Sequence, residues 1–154
     1  MQVSRNLFQY FSADQEIVDT TDGASAEHGN IISIAKGEEF PSSADDSVFP
    51  IQIIKGRGVC VRSPGGPETV FEFQEDLGAI YLRPAVGGRL ELVLWGFADY
   101  GLRLAARLMP MLTGVGQPEF VIVSKRCAWE GAGGVLAMGS FDHDWNISEA
   151  SFIT

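Results

Sequence analysis

A chain of 154 residues, with 45% hydrophobic and 20% charged side chains, is long enough to bury a core without disulfides or metal and has the composition of a globular domain, not of a disordered one. Twenty acidic against eleven basic residues leave a net charge of −9, and the Lys and Arg residues are scattered in runs no longer than two, which argues against nucleic acid as a partner. No stretch approaches the roughly 18 apolar residues of a membrane span, so no membrane partner is expected either.

In chain order, residues 2 to 12 predict an amphipathic helix, because Val3, Leu7, Tyr10 and Phe11 fall at i, i+4, i+7 and i+8. That helix begins almost at residue 1, an abrupt start for an intact domain. Arg5, Asn6 and Gln9 interrupt any apolar run a signal peptide would need, and localisation stays open. Glu16 to Val18 reads as a short strand, and Asp19 to Gly29 as a polar loop. Ile31-Ile32-Ser33-Ile34-Ala35 is rich in β-branched residues and predicts a buried strand; Lys36 to Asp46 returns to loop composition.

From Phe49 to Pro84 the pattern is β. Ile51–Ile54 and Val59–Val61 are joined through Lys55-Gly56-Arg57-Gly58 as a hairpin. Ser63-Pro64-Gly65-Gly66-Pro67 is a strong turn signal, Thr69 to Phe73 alternates as a half-exposed strand, and Ala79–Leu82 predicts another strand ended by Arg83-Pro84. The last third changes character. Leu90 to Trp95 is a nearly continuous apolar strand, Gly96 to Asp99 a tight turn, and Ala98 to Met109 a largely buried helix striped by Leu102, Ala105, Ala106 and Met109, widened by Leu104 and Leu108, and broken at Pro110. Phe120–Val123 is the next apolar strand. Strand, helix, strand is a βαβ unit, which joins parallel strands. The expected fold is a single α/β domain over residues 1–154: a mixed open sheet with a C-terminal βαβ unit and a β-hairpin or meander in the middle.

The chemistry-bearing candidates are sparse. None of the twelve serines sits in G-x-S-x-G; Gly139-Ser140-Phe141 is the nearest approach, and only His28 and His143 are available as the base of a triad. Asp142-His143-Asp144 are three adjacent metal-capable side chains, but consecutive residues diverge, and a polar turn before a packed Trp145 is the simpler reading. Gly131, Gly133 and Gly134 form a glycine-rich stretch that misses the dinucleotide pattern because Leu136 stands at the last glycine position; close packing or tight turning accounts for it better than a phosphate site. The turn Gly96–Gly101 lies beyond a strand's carboxyl end, where α/β sheets bind ligands, but Asp99 is placed to cap the helix and repel an anion. No catalytic set, cofactor site or metal site is therefore assigned: Ser140, Asp142, His143 and Asp144 are weak catalytic candidates, and Gly131, Gly133 and Gly134 weak cofactor candidates. Cys60 and Cys127 read as packed thiols, with a disulfide requiring their Cα atoms to come close. Asn146-Ile147-Ser148 is an N-glycosylation triplet, meaningful only on a secretory route.

Several segments carry a resemblance. Gly96 through Leu112, Thr113-Gly114-Val115-Gly116-Gln117-Pro118-Glu119-Phe120-Val121, Trp129 through Gly139, and Phe141-Asp142 up to Trp145 resemble the C-terminal region of large fungal proteins that carry an upstream α/β-hydrolase or prolyl-oligopeptidase-like esterase domain. The opening Ser4-Arg5-Asn6-Leu7-Phe8-Gln9-Tyr10-Phe11 is similar to that region too. The resemblance implies that the hydrolase nucleophile belongs to the other domain, that no catalytic residue carries over, and that a strand precedes the first helix in longer relatives. The expected partners are then the hydrolase catalytic domain, or a second copy through an exposed sheet edge. Three functions stand side by side: a non-catalytic accessory module, a secreted or intracellular interaction protein of effector type, and a small hydrolase with a non-local site near His143.

Overall fold

The apolar run expected at Leu90–Trp95 lies where both faces of a sheet are covered. In the computed structural model, which describes residues 29–38, 48–85, 87–108 and 118–154, it is the second strand of a six-stranded sheet. The strands are β1 (Ile31–Lys36), β2 (Ile51–Ile54), β3 (Gly58–Arg62), β4 (Glu68–Phe71), β5 (Gly78–Ala85), β6 (Arg89–Gly96), β7 (Phe120–Val123), β8 (Val135–Gly139) and β9 (Phe152–Ile153). Helix α1 (Asp99–Arg107) links β6 to β7. A single turn of helix, α2 (Cys127–Glu130), and a 3-10 turn at Gly131–Gly134 link β7 to β8. The large sheet has the order β1-β6-β5-β7-β8-β9, and β2-β3-β4 form a separate antiparallel sheet.

The strand-helix-strand unit is present in a modified form. β5 pairs antiparallel with both β6 and β7, so those two strands run in the same direction with β5 between them. The crossover through α1 therefore jumps one strand. β1 adds to β6 in parallel, and every other pairing in the large sheet is antiparallel. The fold is sheet-dominated and mixed, and α/β describes it only loosely. The middle of the chain forms the expected meander, closed by the Arg57 N–H bond to the Ile54 carbonyl (3.0 Å) and the Gly66 N–H bond to the Ser63 carbonyl (3.1 Å).

Side-chain alternation divides the core into two layers. Ala79, Tyr81, Val93, Trp95, Phe120, Ile122 and Ala137 project from one face of the large sheet onto Phe49, Ile51, Val59 and Val61 of the small-sheet layer. Ile80, Leu94, Val121 and Val123 project from the other face onto Leu104 of α1. Each such burial is worth about 1.5–3 kcal/mol for a large apolar side chain. The seat of α1 depends on missing side chains. A Cβ at Gly96 would stand 2.0 Å from the Leu102 nitrogen, and one at Gly101 would stand 2.0 Å from the Leu77 carbonyl oxygen. Only glycine at both sites lets the first turn of the helix rest on the ends of β5 and β6.

Three expectations change. Ile31–Ala35 is not a buried strand: β1 alternates half-buried and exposed, because among the described residues it is an edge strand that pairs only with β6, while α1 sits mainly over β5 and β6. Arg83-Pro84 does not end β5, which continues to Ala85. The Leu82 N–H bonds the Glu119 carbonyl (2.9 Å), so the nitrogen of Pro84, two residues on, points to the same side, beyond the Phe120–Val123 ladder, and costs that ladder no hydrogen bond among the described residues. Helix α1 is not largely buried: Gly101, Leu104 and Ala105 are covered, Leu102 and Ala106 are half-buried beside them, and Asp99, Tyr100, Arg103 and Arg107 are exposed. The expected helix at 2–12, the strand at Glu16–Val18, His28, and the Met109-Pro110 helix end lie outside the described residues.

Candidate functional site

The acidic-histidine cluster folds as a turn. Phe141 and Ile147 form an isolated antiparallel bridge, and residues 142–146 loop out between them. Asp142 organises that loop. One carboxylate oxygen accepts the backbone N–H groups of Asp144 and Asn146, both at 2.9 Å, and the other accepts the Asn146 side-chain amide at 3.4 Å. These bonds favour the charged form, the Asn146 backbone N–H most of all, and hold the Asp142 carboxyl below its usual range. His143 points away, 89% exposed, with Nε2 3.2 Å from Asp144 Oδ1. Trp145 takes a left-handed backbone conformation, φ 63°, that turns its ring onto Phe141 and Phe49 at centroid separations of 5.7 and 6.4 Å. Ser140 is held through its carbonyl, which accepts the Ser148 N–H (2.9 Å) and the Ser151 hydroxyl (3.3 Å). Among the described residues, no group of three or more His, Cys, Asp or Glu side chains is placed to hold a metal ion.

The glycine-rich stretch is a tight fold-back. Gly131 ends α2, and a Cβ at Gly134 would lie 2.4 Å from the backbone of Arg126 and Cys127. Gly133 lies between them in the same 3-10 turn. At the start of α1, Asp99 does not cap the helix as expected. Its carboxylate takes the Lys36 ammonium at 2.7 Å, and that hydrogen bond lowers its pKa. Cys60 and Cys127 are free thiols on opposite sides of the large sheet. Cys60 lies in the small sheet and Cys127 packs into the helix-side cluster.

Other polar groups, not singled out by any motif, tie the fold together. Arg83 and Glu91 face each other across β5 and β6, buried, with Arg83 Nε donating to Glu91 Oε2 at 2.7 Å. The Ser33 hydroxyl of β1 donates to the other Glu91 oxygen, so a polar row crosses three strands. Buried Asp76 accepts the Lys125 N–H at 2.8 Å, and Glu119 accepts the Phe141 N–H at 2.7 Å. The signal was present: a charged residue inside an apolar strand run, as Glu91 is, needs a partner when buried.

The surface feature with the strongest functional chemistry is apolar. On the helix side of the large sheet, Ile32 and Ile34 stand on β1, and Met138 and Phe152 are cross-strand neighbours on β8 and β9. Ile34 is 40% exposed and Phe152 47%, while Trp129 of α2, whose Cys127 packs into the helix-side cluster, is 66% exposed. Geometry explains the pattern. Six strands span about 24 Å at roughly 4.8 Å per strand, whereas one helix with its side chains covers only about 10–12 Å of that width. Among the described residues, apolar strips are left uncovered on both flanks of α1.

No protein-family model and no solved structure matches the chain. An uncharacterized secreted protein of the fungus Arthroderma benhamiae is 40% identical over 160 residues, an alignment that takes in 100% of this chain. The chain spans 17% of the length of that relative.

Proposed function

We propose that this chain is a non-catalytic accessory module of a larger secreted fungal protein, docking through the helix side of its six-stranded sheet onto a hydrolase catalytic domain. The observation that carries the reading is the pair of apolar strips that, among the described residues, are left uncovered on both flanks of α1, together with the exposed Trp129 of α2. Exposed aromatic and aliphatic groups gathered on one side of a sheet mark a contact surface, and tryptophan is enriched among the residues that dominate such contacts. The share of the fungal relative that the chain covers supports a module within a longer polypeptide. The resemblance of the Gly96–Trp145 segments to hydrolase-associated C-terminal regions supports the choice of partner. The placement of His143 in solvent on a turn also favours this reading, because a general base is normally held in a pocket beside the group it deprotonates.

The test uses the purified chain and the remainder of the 40%-identical relative, expressed without the matching segment. The two should form a complex, and Trp129→Ala combined with Ile34→Asp should weaken it at least about thirtyfold, the effect of losing a dominant contact. The isolated chain should not turn over short-chain p-nitrophenyl esters or aminopeptidase substrates. Failure of the two polypeptides to associate, or inhibitor-sensitive hydrolysis removed by a single serine substitution, overturns the reading.

A further inference from the structure

We infer that Asn146 is an N-glycosylation site, carrying one N-linked glycan on the small-sheet side of the molecule when the chain passes through a secretory pathway. The sequence contains three asparagines, Asn6, Asn30 and Asn146, and only Asn146 stands in the acceptor triplet, with Ile147 and Ser148. The fold presents that asparagine to solvent. Its neighbours point inward: Trp145 joins the aromatic cluster with Phe49 and Phe141, and Ile147 is buried in the same core layer. Backbone alternation through the Phe141–Ile147 bridge then turns the Asn146 side chain out, and it is exposed. The route is supported by the secreted fungal relative, 40% identical across the whole chain.

The folded turn tolerates the modification. Transfer from a lipid-pyrophosphate-linked oligosaccharide joins the amide nitrogen to the sugar's anomeric carbon. The bond between that carbon and the pyrophosphate oxygen breaks, the lipid pyrophosphate leaves with the electron pair, and the amide gives up one proton. One N–H remains on Asn146, enough to keep the bond to Asp142 (3.4 Å) that the turn uses. The glycan also leaves the proposed docking face free, because the loop packs against the small-sheet layer and the exposed Ile34, Trp129 and Phe152 lie with the helix.

The experiment is expression of the full chain through the secretory pathway of a fungal host, followed by intact-mass and peptide analysis with and without an amidase that removes N-linked glycans. The wild-type chain should lose the mass of one glycan, with Asn146 converted to aspartate in the spanning peptide. Asn146→Gln and Ser148→Ala should each abolish the shift, and Ser148→Thr should retain it. A chain recovered from that pathway with Asn146 unmodified, or a shift that survives in Asn146→Gln, overturns the inference. Neither result depends on whether the chain binds a hydrolase domain, so this test and the docking test fail separately.

Discussion

Arg83 Nε lies 2.7 Å from Glu91 Oε2 across the β5–β6 ladder, and both side chains are buried on the face that meets the small sheet. The Ser33 hydroxyl satisfies the second carboxylate oxygen from the edge strand. Such a pair is costly to break and gains little over an apolar replacement. Glu91→Leu leaves a buried guanidinium without its carboxylate and should destabilise by about 3–5 kcal/mol. The triple change Ser33→Ala, Arg83→Met, Glu91→Leu should recover most of that loss. Urea midpoints of the two variants check it: a triple variant as unstable as the single one would mean the row does more than neutralise its own members.

The contact between α1 and the end of β5 is as tight as backbone allows. With a Cβ at Gly101 placed 2.0 Å from the Leu77 carbonyl oxygen, Gly101→Ala forces the helix off the sheet. Overpacking of this kind costs about 1–3 kcal/mol or more, and here it also strains the Leu77 carbonyl bond from Phe97 N–H (3.0 Å). By contrast, alanine at Gly133, whose nearest neighbour would be 3.9 Å away, should change the unfolding free energy by no more than about 0.5 kcal/mol. Equal effects at the two positions would refute the packing argument.

The two thiols should differ in reactivity. Burial is the main cause raising the Cys60 pKa, outweighing the nearby Arg57, so its thiolate is scarce and inaccessible in the native fold. Cys127, only half-buried at the start of α2, should alkylate first with iodoacetamide. Peptide mapping after brief labelling should find Cys127 modified and Cys60 modified only after denaturation. Rapid native labelling of Cys60 would show that the small sheet opens readily.

How far the sequence reveals this fold can be followed in single residues. Leu90–Trp95, Phe120–Val123 and the helix between them were legible because periodicity is local, and the split crossover was not, because nothing in Ala79–Leu82 says that this strand inserts between the other two. Ile32 and Ile34 read as buried because β-branched runs do so on average; their exposure follows from strand order, a long-range property. The turn at Asp142-His143-Asp144 and the close packing at Gly134 were readable from residue chemistry alone. The Arg83–Glu91 pair was not, since it depends on the register between two strands. The exposed apolar face of the large sheet escapes motif searches altogether: no single residue type defines it, only which side of the sheet each residue faces.

Acid should loosen the Asp142 turn in a defined direction. Its carboxyl is held below the usual range by the N–H groups of Asn146 and Asp144, so the folded state binds a proton less readily than the unfolded chain. A depressed folded-state pKa contributes stability that is fully present above the ordinary carboxylate value and is lost as pH falls through the folded value. Glu68, held down chiefly by its bond to Arg62, and Asp99, held down by Lys36, act in the same sense. Asp142→Ala should therefore lower the urea midpoint at neutral pH and flatten its decline on acidification relative to the wild type. The effect should also appear locally, as lower protection of the Asp144 and Asn146 amides against exchange, relative to the intrinsic rate at each pH, in the variant at neutral pH and in the wild type only in acid. A variant whose midpoint falls in parallel with the wild type would place the acid sensitivity in other carboxylates, Glu68 and Asp99 among them, leaving Asp142 no part in it.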